Sequence, residues 1–234
     1  MDSIAARLDL VEEKIENACR QSGRKRQEIK LVAVSKFHPI DAVEAAWQAG
    51  VRIFGESRVQ EANDKFLGFW ENHPHENAEL HLIGSLQRNK AKIAVGMFDC
   101  IQSVDRDSLI SALGALTMER QKPLMVLLEY HTGEETKSGF LSRDSLFRAA
   151  EKLMSFPGLK PAGLMTLAPF SSDKALVRSA FRELAAAQDE LKKRFCTLDW
   201  SCLSMGMTND FEVAIEEGST MVRIGTAIFG ERKT

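Results

Sequence analysis

Short β-branched runs and longer amphipathic stretches take turns along this chain, eight times over. The runs that predict strands are residues 29–35, 51–54, 80–83, 100–104, 124–129, 161–165, 200–204 and 221–224. Between them, helical spacing of apolar positions marks residues 39–49, 57–70, 106–120, 142–155 and 173–194. Gly50 follows the first of these, where a left-handed residue after a helix carries no Cβ penalty if it is glycine. Ahead of the first strand, Ile4, Leu8, Val11, Ile15 and Ala18 stand three or four apart and make the apolar stripe of an opening helix.

Strands that alternate with helices imply parallel pairing through crossovers. Eight such units in 234 residues favour a closed barrel over an open doubly wound sheet. The open sheet's nucleotide signal, G-x-G-x-x-G after the first strand, is missing. The expected fold is therefore one α/β domain over residues 1–234, a TIM-type (β/α)8 barrel with an extra N-terminal helix. Such a barrel gathers its chemistry at the C-terminal ends of the strands, with a phosphate site from the loops after the last two.

Composition narrows the function. A hydrophobic share of 44% and a charged share of 27% are those of an ordinary globular protein with a sizeable core. A net charge of −2, with both signs interspersed, gives no electrostatic reason to expect nucleic acid or an anionic membrane as partner. Any anion must be held by a local site. Cys19, Cys100, Cys196 and Cys202 form no C-x-x-C pair, which argues against structural zinc and a disulfide framework. The first residues carry acidic side chains and no continuous apolar core, so no secretory signal is expected. No segment approaches the run of about 20 apolar residues that spans a bilayer. A reducing cytosol is the expected compartment.

Three strand ends carry the candidate chemistry. The first strand runs Leu31-Val-Ala-Val-Ser-Lys36. A lysine at the carboxyl end of an apolar strand is poorly solvated, which lowers an amine's pKa and favours the neutral nucleophile that attacks an aldehyde. A solvated lysine capping the barrel mouth fits the same position. The seventh strand ends in Leu203-Ser-Met-Gly-Met-Thr-Asn-Asp210, where Ser204, Gly206 and Thr208 suit an anion cradle of exposed N–H groups. Alternatively, Thr208, Asn209 or Asp210 simply caps the next helix. The eighth strand ends in Met221-Val-Arg-Ile-Gly-Thr-Ala-Ile-Phe-Gly230, in which Gly225 allows close backbone approach and Thr226 adds a hydroxyl. Arg223, set between apolar neighbours, needs an acceptor, either a buried carboxylate or a ligand atom. Strands eight and one are neighbours in a closed barrel, so a ligand with a phosphate at one end and an aldehyde at the other fits this layout.

Ordered blocks along nearly the whole chain carry a resemblance. They are Val32-Ala-Val-Ser-Lys36, Phe54-Gly-Glu-Ser-Arg-Val-Gln-Glu61, His81-Leu-Ile-Gly-Ser-Leu-Gln-Arg-Asn-Lys90, Glu134-Glu-Thr-Lys-Ser-Gly139, Gly163-Leu-Met-Thr166, Ser204-Met-Gly-Met-Thr208 and residues 218–230. The chain resembles the pyridoxal phosphate homeostasis protein family, whose fold is similar to the barrel domain of alanine racemase. The resemblance implies pyridoxal 5′-phosphate (PLP) as cofactor, held as a Schiff base on Lys36. It implies that Ser204 and Thr208, with the amides of Gly225 and Thr226, hold the phosphate, and that Arg223 faces the pyridine nitrogen. The resemblance also places Ser57 beside the cofactor, where the family usually has the longer asparagine; Thr208 and Thr136 replace more usual serines. Intracellular vitamin B6 homeostasis is the implied role, by buffering the aldehyde or delivering it through transient contact with PLP-dependent apoenzymes. A monomer is also implied.

An active amino-acid racemase is the alternative. Arginine opposite the ring nitrogen disfavours protonating it and weakens the ring as an electron sink, although racemases of related fold share that arrangement. Alanine racemases add a C-terminal β domain and a tyrosine acid/base, whereas this sequence ends at Thr234 and has one tyrosine, Tyr130, expected as a barrel or rim aromatic. Lys137 is expected on a solvated loop near the mouth, with a role as secondary amine as the sharper option. His81 is expected as a hydrogen-bonded core histidine, His73 and His75 without further metal ligands, and Lys90 and Lys92 on a solvated helix face.

Overall fold

The structure, a computed structural model, describes residues 3–73, 75–118, 120–133 and 138–231. Eight parallel strands close into a barrel in chain order. They are β1 (Lys30–Val34), β2 (Ile53–Glu56), β3 (Glu79–Leu82), β4 (Cys100–Val104), β5 (Leu124–Glu129), β6 (Leu159–Met165), β7 (Cys202–Ser204) and β8 (Met221–Ile224). The helices are α1 (Ile4–Gln21), α2 (Ile40–Gln48), α3 (Val59–Asn72), α4 (Ala91–Met97), α5 (Asp107–Leu116), α6 (Arg143–Leu153), α7 (Lys174–Arg194), α8 (Phe211–Glu216) and α9 (Thr226–Phe229). This is the expected (β/α)8 barrel with an additional helix in front.

The differences from the expected elements have local causes. α4 has seven residues, fewer than two turns, too short for apolar spacing to register as a helix. β6 begins earlier than expected and accommodates Pro161 because the ladder to β5 shifts register between Val126 and Leu127, where a residue without an N–H does no harm. β2 runs on to Glu56, which pairs with Leu82 of β3. A carboxylate inside a strand there is tolerated because its side chain finds Lys65 of α3.

The core lies mainly between strands and helices. Phe54, Phe66, Phe98, Phe181 and Phe211 are fully buried in it, and burying such side chains is the main favourable term in folding. α1 buries Leu8, Val11, Ile15, Ala18 and Cys19 and packs on α8 and α9. Ser3 caps α1, its Oγ accepting from Ala6 N at 3.1 Å. β1 pairs with β8 from Lys30↔Met221 to Ala33↔Ile224, so the loops that follow these two strands leave the barrel side by side.

Candidate functional site

A chain of polar side chains crosses the barrel interior, where apolar side chains would otherwise be expected. Arg223 of β8 is buried; its Nη1 donates to Ser204 Oγ at 2.6 Å and its Nη2 to Thr166 O at 2.8 Å. Ser204 donates to Gln102 Oε1 at 2.6 Å, and Gln102 Nε2 meets His81 Nδ1 at 2.8 Å. An amide nitrogen can only donate, so Nδ1 accepts and the imidazole proton sits on Nε2, 2.7 Å from Glu79 Oε2. That bond is the main reason the Glu79 carboxyl is held down to about 2. Burial lowers Arg223 to about 10, opposed by the charges of Asp210 and Glu129, so it remains a cation at neutral pH. The protein acceptors of Arg223 are thus a hydroxyl and a carbonyl, not a hydrogen-bonded carboxylate among the described residues.

Lys36 is half-buried at the end of β1, and the turn that carries it is fastened on its outer side. Ser35 Oγ donates to Glu56 Oε1 at 2.7 Å, and Lys65 Nζ donates to the same oxygen at 2.7 Å and to Ser35 O at 2.9 Å. Glu61 accepts from Lys65 at 3.3 Å and from Phe37 N at 2.5 Å. Burial raises the Glu56 carboxyl above its ordinary value, opposed by Lys65. The ring of His38, two residues past Lys36, stacks on Phe229 of α9 with centroids 5.2 Å apart. The Lys36 turn and the segment after β8 thus pack directly on one another.

The two turns expected to form an anion cradle lie beside this. Gly206 is buried with φ +97°, and a Cβ there would sit 2.7 Å from the Ala214 methyl and 2.8 Å from Phe211 Cα. Its carbonyl accepts from Arg223 N at 2.9 Å, which ties the β7 turn to β8. Asp210 closes the turn by accepting from Met207 N at 2.5 Å; it holds the N-cap position of α8 without a side-chain cap hydrogen bond. Thr208 is half-buried. A Cβ on Gly225 would lie 3.2 Å from Val34 O, so β1 and the β8 turn approach closely where glycine stands. Thr226 is exposed and begins α9, where the first N–H groups have no acceptor within the helix.

Other expected residues fall as follows. The hydroxyl of Ser204 is buried, and its single proton is donated to Gln102, so its engagement is with the interior. Ser57 is half-buried after β2, with its carbonyl against the backbone at Gly84. Tyr130 is buried, and its hydroxyl donates to Glu183 of α7 at 3.0 Å, toward the outer helical layer. His81 is the hydrogen-bonded core histidine expected. His73 and His75 lie 2.6 Å and 2.9 Å from Glu44 and Asp99. Among the described residues no group of three or more His, Cys, Asp or Glu is placed to hold a metal. Lys90 ends a short 3-10 turn, and Lys92 lies exposed on α4. Thr136 and Lys137 lie outside the described residues.

Sequence reasoning missed Gln102, Glu56, Glu61, Lys65 and Glu129. Glu129, at the end of β5, is buried, accepts from Ser138 Oγ at 2.7 Å, and is raised by that burial. Glu56 and Glu61 lie in the segment of residues 54–61, but nothing one-dimensional joins them to Lys65.

Residues 7–233 match the family described as alanine racemase, N-terminal domain. A pyridoxal phosphate homeostasis protein of Vibrio cholerae is 41% identical over 233 residues, 99% of this chain and 98% of that protein. Among solved structures, a protein of Bifidobacterium adolescentis described as unknown superposes with TM-score 0.89 at 34% identity, covering 96% of this chain and 94% of its own. PipY of Synechococcus elongatus, solved with PLP bound, superposes with TM-score 0.84 at 32% identity, covering 97% of this chain and all of its own. With the family match, 41% identity to a curated relative and near-complete coverage of both chains, the chain belongs to the pyridoxal phosphate homeostasis protein family, within the wider group of alanine racemase N-terminal domains.

Proposed function

We propose that this protein binds PLP at the mouth of its barrel and serves intracellular PLP homeostasis by holding the reactive aldehyde reversibly on Lys36. The observation that carries the reading is the meeting of three segments: the half-buried Lys36, the glycine-lined turns after β7 and β8, and the buried guanidinium of Arg223 beneath them. PipY, 32% identical over nearly the whole chain, has been solved with PLP. The donor set fits that cofactor: a primary amine for an aldehyde, backbone N–H groups and hydroxyls for a phosphate, and a donor-only cation for a ring nitrogen. When bound, the cofactor supplies an aldehyde that condenses with an amine, forming C=N while the carbonyl oxygen leaves as water with the two amine hydrogens.

Each residue has a role this geometry allows. Gly206 and Gly225 admit the ligand to the backbone, and Thr208 and Thr226 add hydroxyls beside the N–H groups of the two turns. Ser204, expected among the phosphate contacts, also accepts from Arg223 and so orients its guanidinium. Arg223 cannot accept a hydrogen bond, so a ring nitrogen facing it stays unprotonated, which suits storage more than carbanion chemistry. Ser57 lines the adjoining edge. Tyr130 is turned toward Glu183 and takes no part. The reading extends to a cytoplasmic monomer that meets PLP-dependent apoenzymes only transiently; no helix among the described residues is long and apolar enough to cross a membrane.

Borohydride reduction of the PLP-loaded protein, followed by peptide mass mapping, tests the assignment. The expected product is a phosphopyridoxyl adduct on the peptide containing Lys36. Adduct on other lysines with Lys36 unmodified would overturn it.

A further inference from the structure

Behind the turn that presents Lys36 lies a charged cluster with no counterpart in the cofactor-facing set. Glu56 is fully buried, the Lys65 side chain is 7% exposed and Glu61 23%. Lys65 directs its ammonium to Ser35 O, Glu56 Oε1 and Glu61 Oε1, while Glu61 also takes the N–H of Phe37. The residues on both sides of Lys36 are therefore anchored to one cluster on α3 and β2. Phe37 has φ +65°, and among the described residues it is the non-glycine with a left-handed backbone. A residue holds that conformation only where its surroundings over-determine it, and here the Glu61 carboxylate fixes the amide. A buried ion pair contributes little net stability compared with apolar packing. Its use here is geometric.

We propose that Glu61, braced by Lys65 and Glu56, is a positioning residue that sets the direction in which Lys36 presents its amine to the cofactor's aldehyde. The proposal rests on the reading that Lys36 takes that aldehyde. It acts on the bond-forming step and leaves the grip on the phosphate to the β7 and β8 turns on the other side of the site.

Glu61→Ala removes the acceptor, whereas Glu61→Gln retains a side-chain oxygen for Phe37 N. The Glu61 side chain is partly exposed in the first turn of α3, so both variants are expected to fold. Two quantities are measured on the full-length protein. One is the rate at which added PLP becomes borohydride-trappable on Lys36. The other is the affinity for pyridoxamine 5′-phosphate, which has no aldehyde and cannot condense.

Glu61→Ala is expected to slow trapping on the order of ten-fold, the worth of one charge-assisted hydrogen bond, while pyridoxamine 5′-phosphate affinity stays within about two-fold. Glu61→Gln is expected to recover most of the rate. Unchanged trapping in Glu61→Ala, equal damage in both variants, or equal loss for both ligands would overturn the proposal. Absence of any Lys36 adduct in the unaltered protein would remove the underlying reading instead, and the proposal with it.

Discussion

Buried beneath the Lys36 turn, Glu56 holds its proton more tightly than a free carboxyl does, because burial disfavours its charge more than Lys65 favours it. The sign of the pH effect follows. Between the ordinary value of 4.5 and the raised folded value, the folded state binds the proton and the unfolded state does not. This group's contribution to stability is thus fully present below 4.5 and is lost as pH rises through the folded value. Glu56→Gln is expected to flatten the fall in stability with rising pH across that window, read from urea midpoints at successive pH values; an unaltered slope would refute the assignment. At this scale the sequence was informative where a residue contradicted its own neighbours. Lys36 and Arg223 are charged groups in apolar strands, and each stood out. Glu56 and Lys65 did not, because their meeting depends on an outward-facing strand residue coming under a helix that starts three residues later.

Between elements, the hydrogen-bonded series His81–Gln102–Ser204–Arg223 joins β3, β4, β7 and β8 through the barrel interior. Gln102 is its pivot: a donor to His81 and an acceptor from Ser204, fully buried. Gln102→Leu has nearly the same size but orphans His81 Nδ1 and the Ser204 hydroxyl proton, at a cost of about 2–6 kcal/mol if each costs its usual desolvation penalty. Urea unfolding checks the stability. If the series orients Arg223, the absorbance of bound PLP should shift as well; loss of stability with an unchanged spectrum would confine Gln102 to a structural role. Strands were legible as elements because β-branched runs are local. Which strands speak to one another across the interior was not, since the two residues of the Ser204–Gln102 bond are 102 positions apart.

For the whole molecule, a ligand that binds only the folded state stabilises it by mass action. PLP at 100 times its Kd is expected to add about 2.7 kcal/mol, a rise in Tm of roughly 5–10 °C for a chain of this size. Lys36→Ala should lose most of that rise at the same PLP concentration. An undiminished shift would show that the amine adds nothing to binding.

The eight strands, the longer helices and the closed barrel could be read from the amino-acid sequence, because periodicity and turn glycines are short-range signals. The turn of the Ser204 hydroxyl into the interior, the cluster that fastens Phe37, and the stacking of His38 on Phe229 were settled by folding. These contacts join residues distant in sequence, and they exist only once barrel closure has chosen which face of each strand looks inward and which helix covers it.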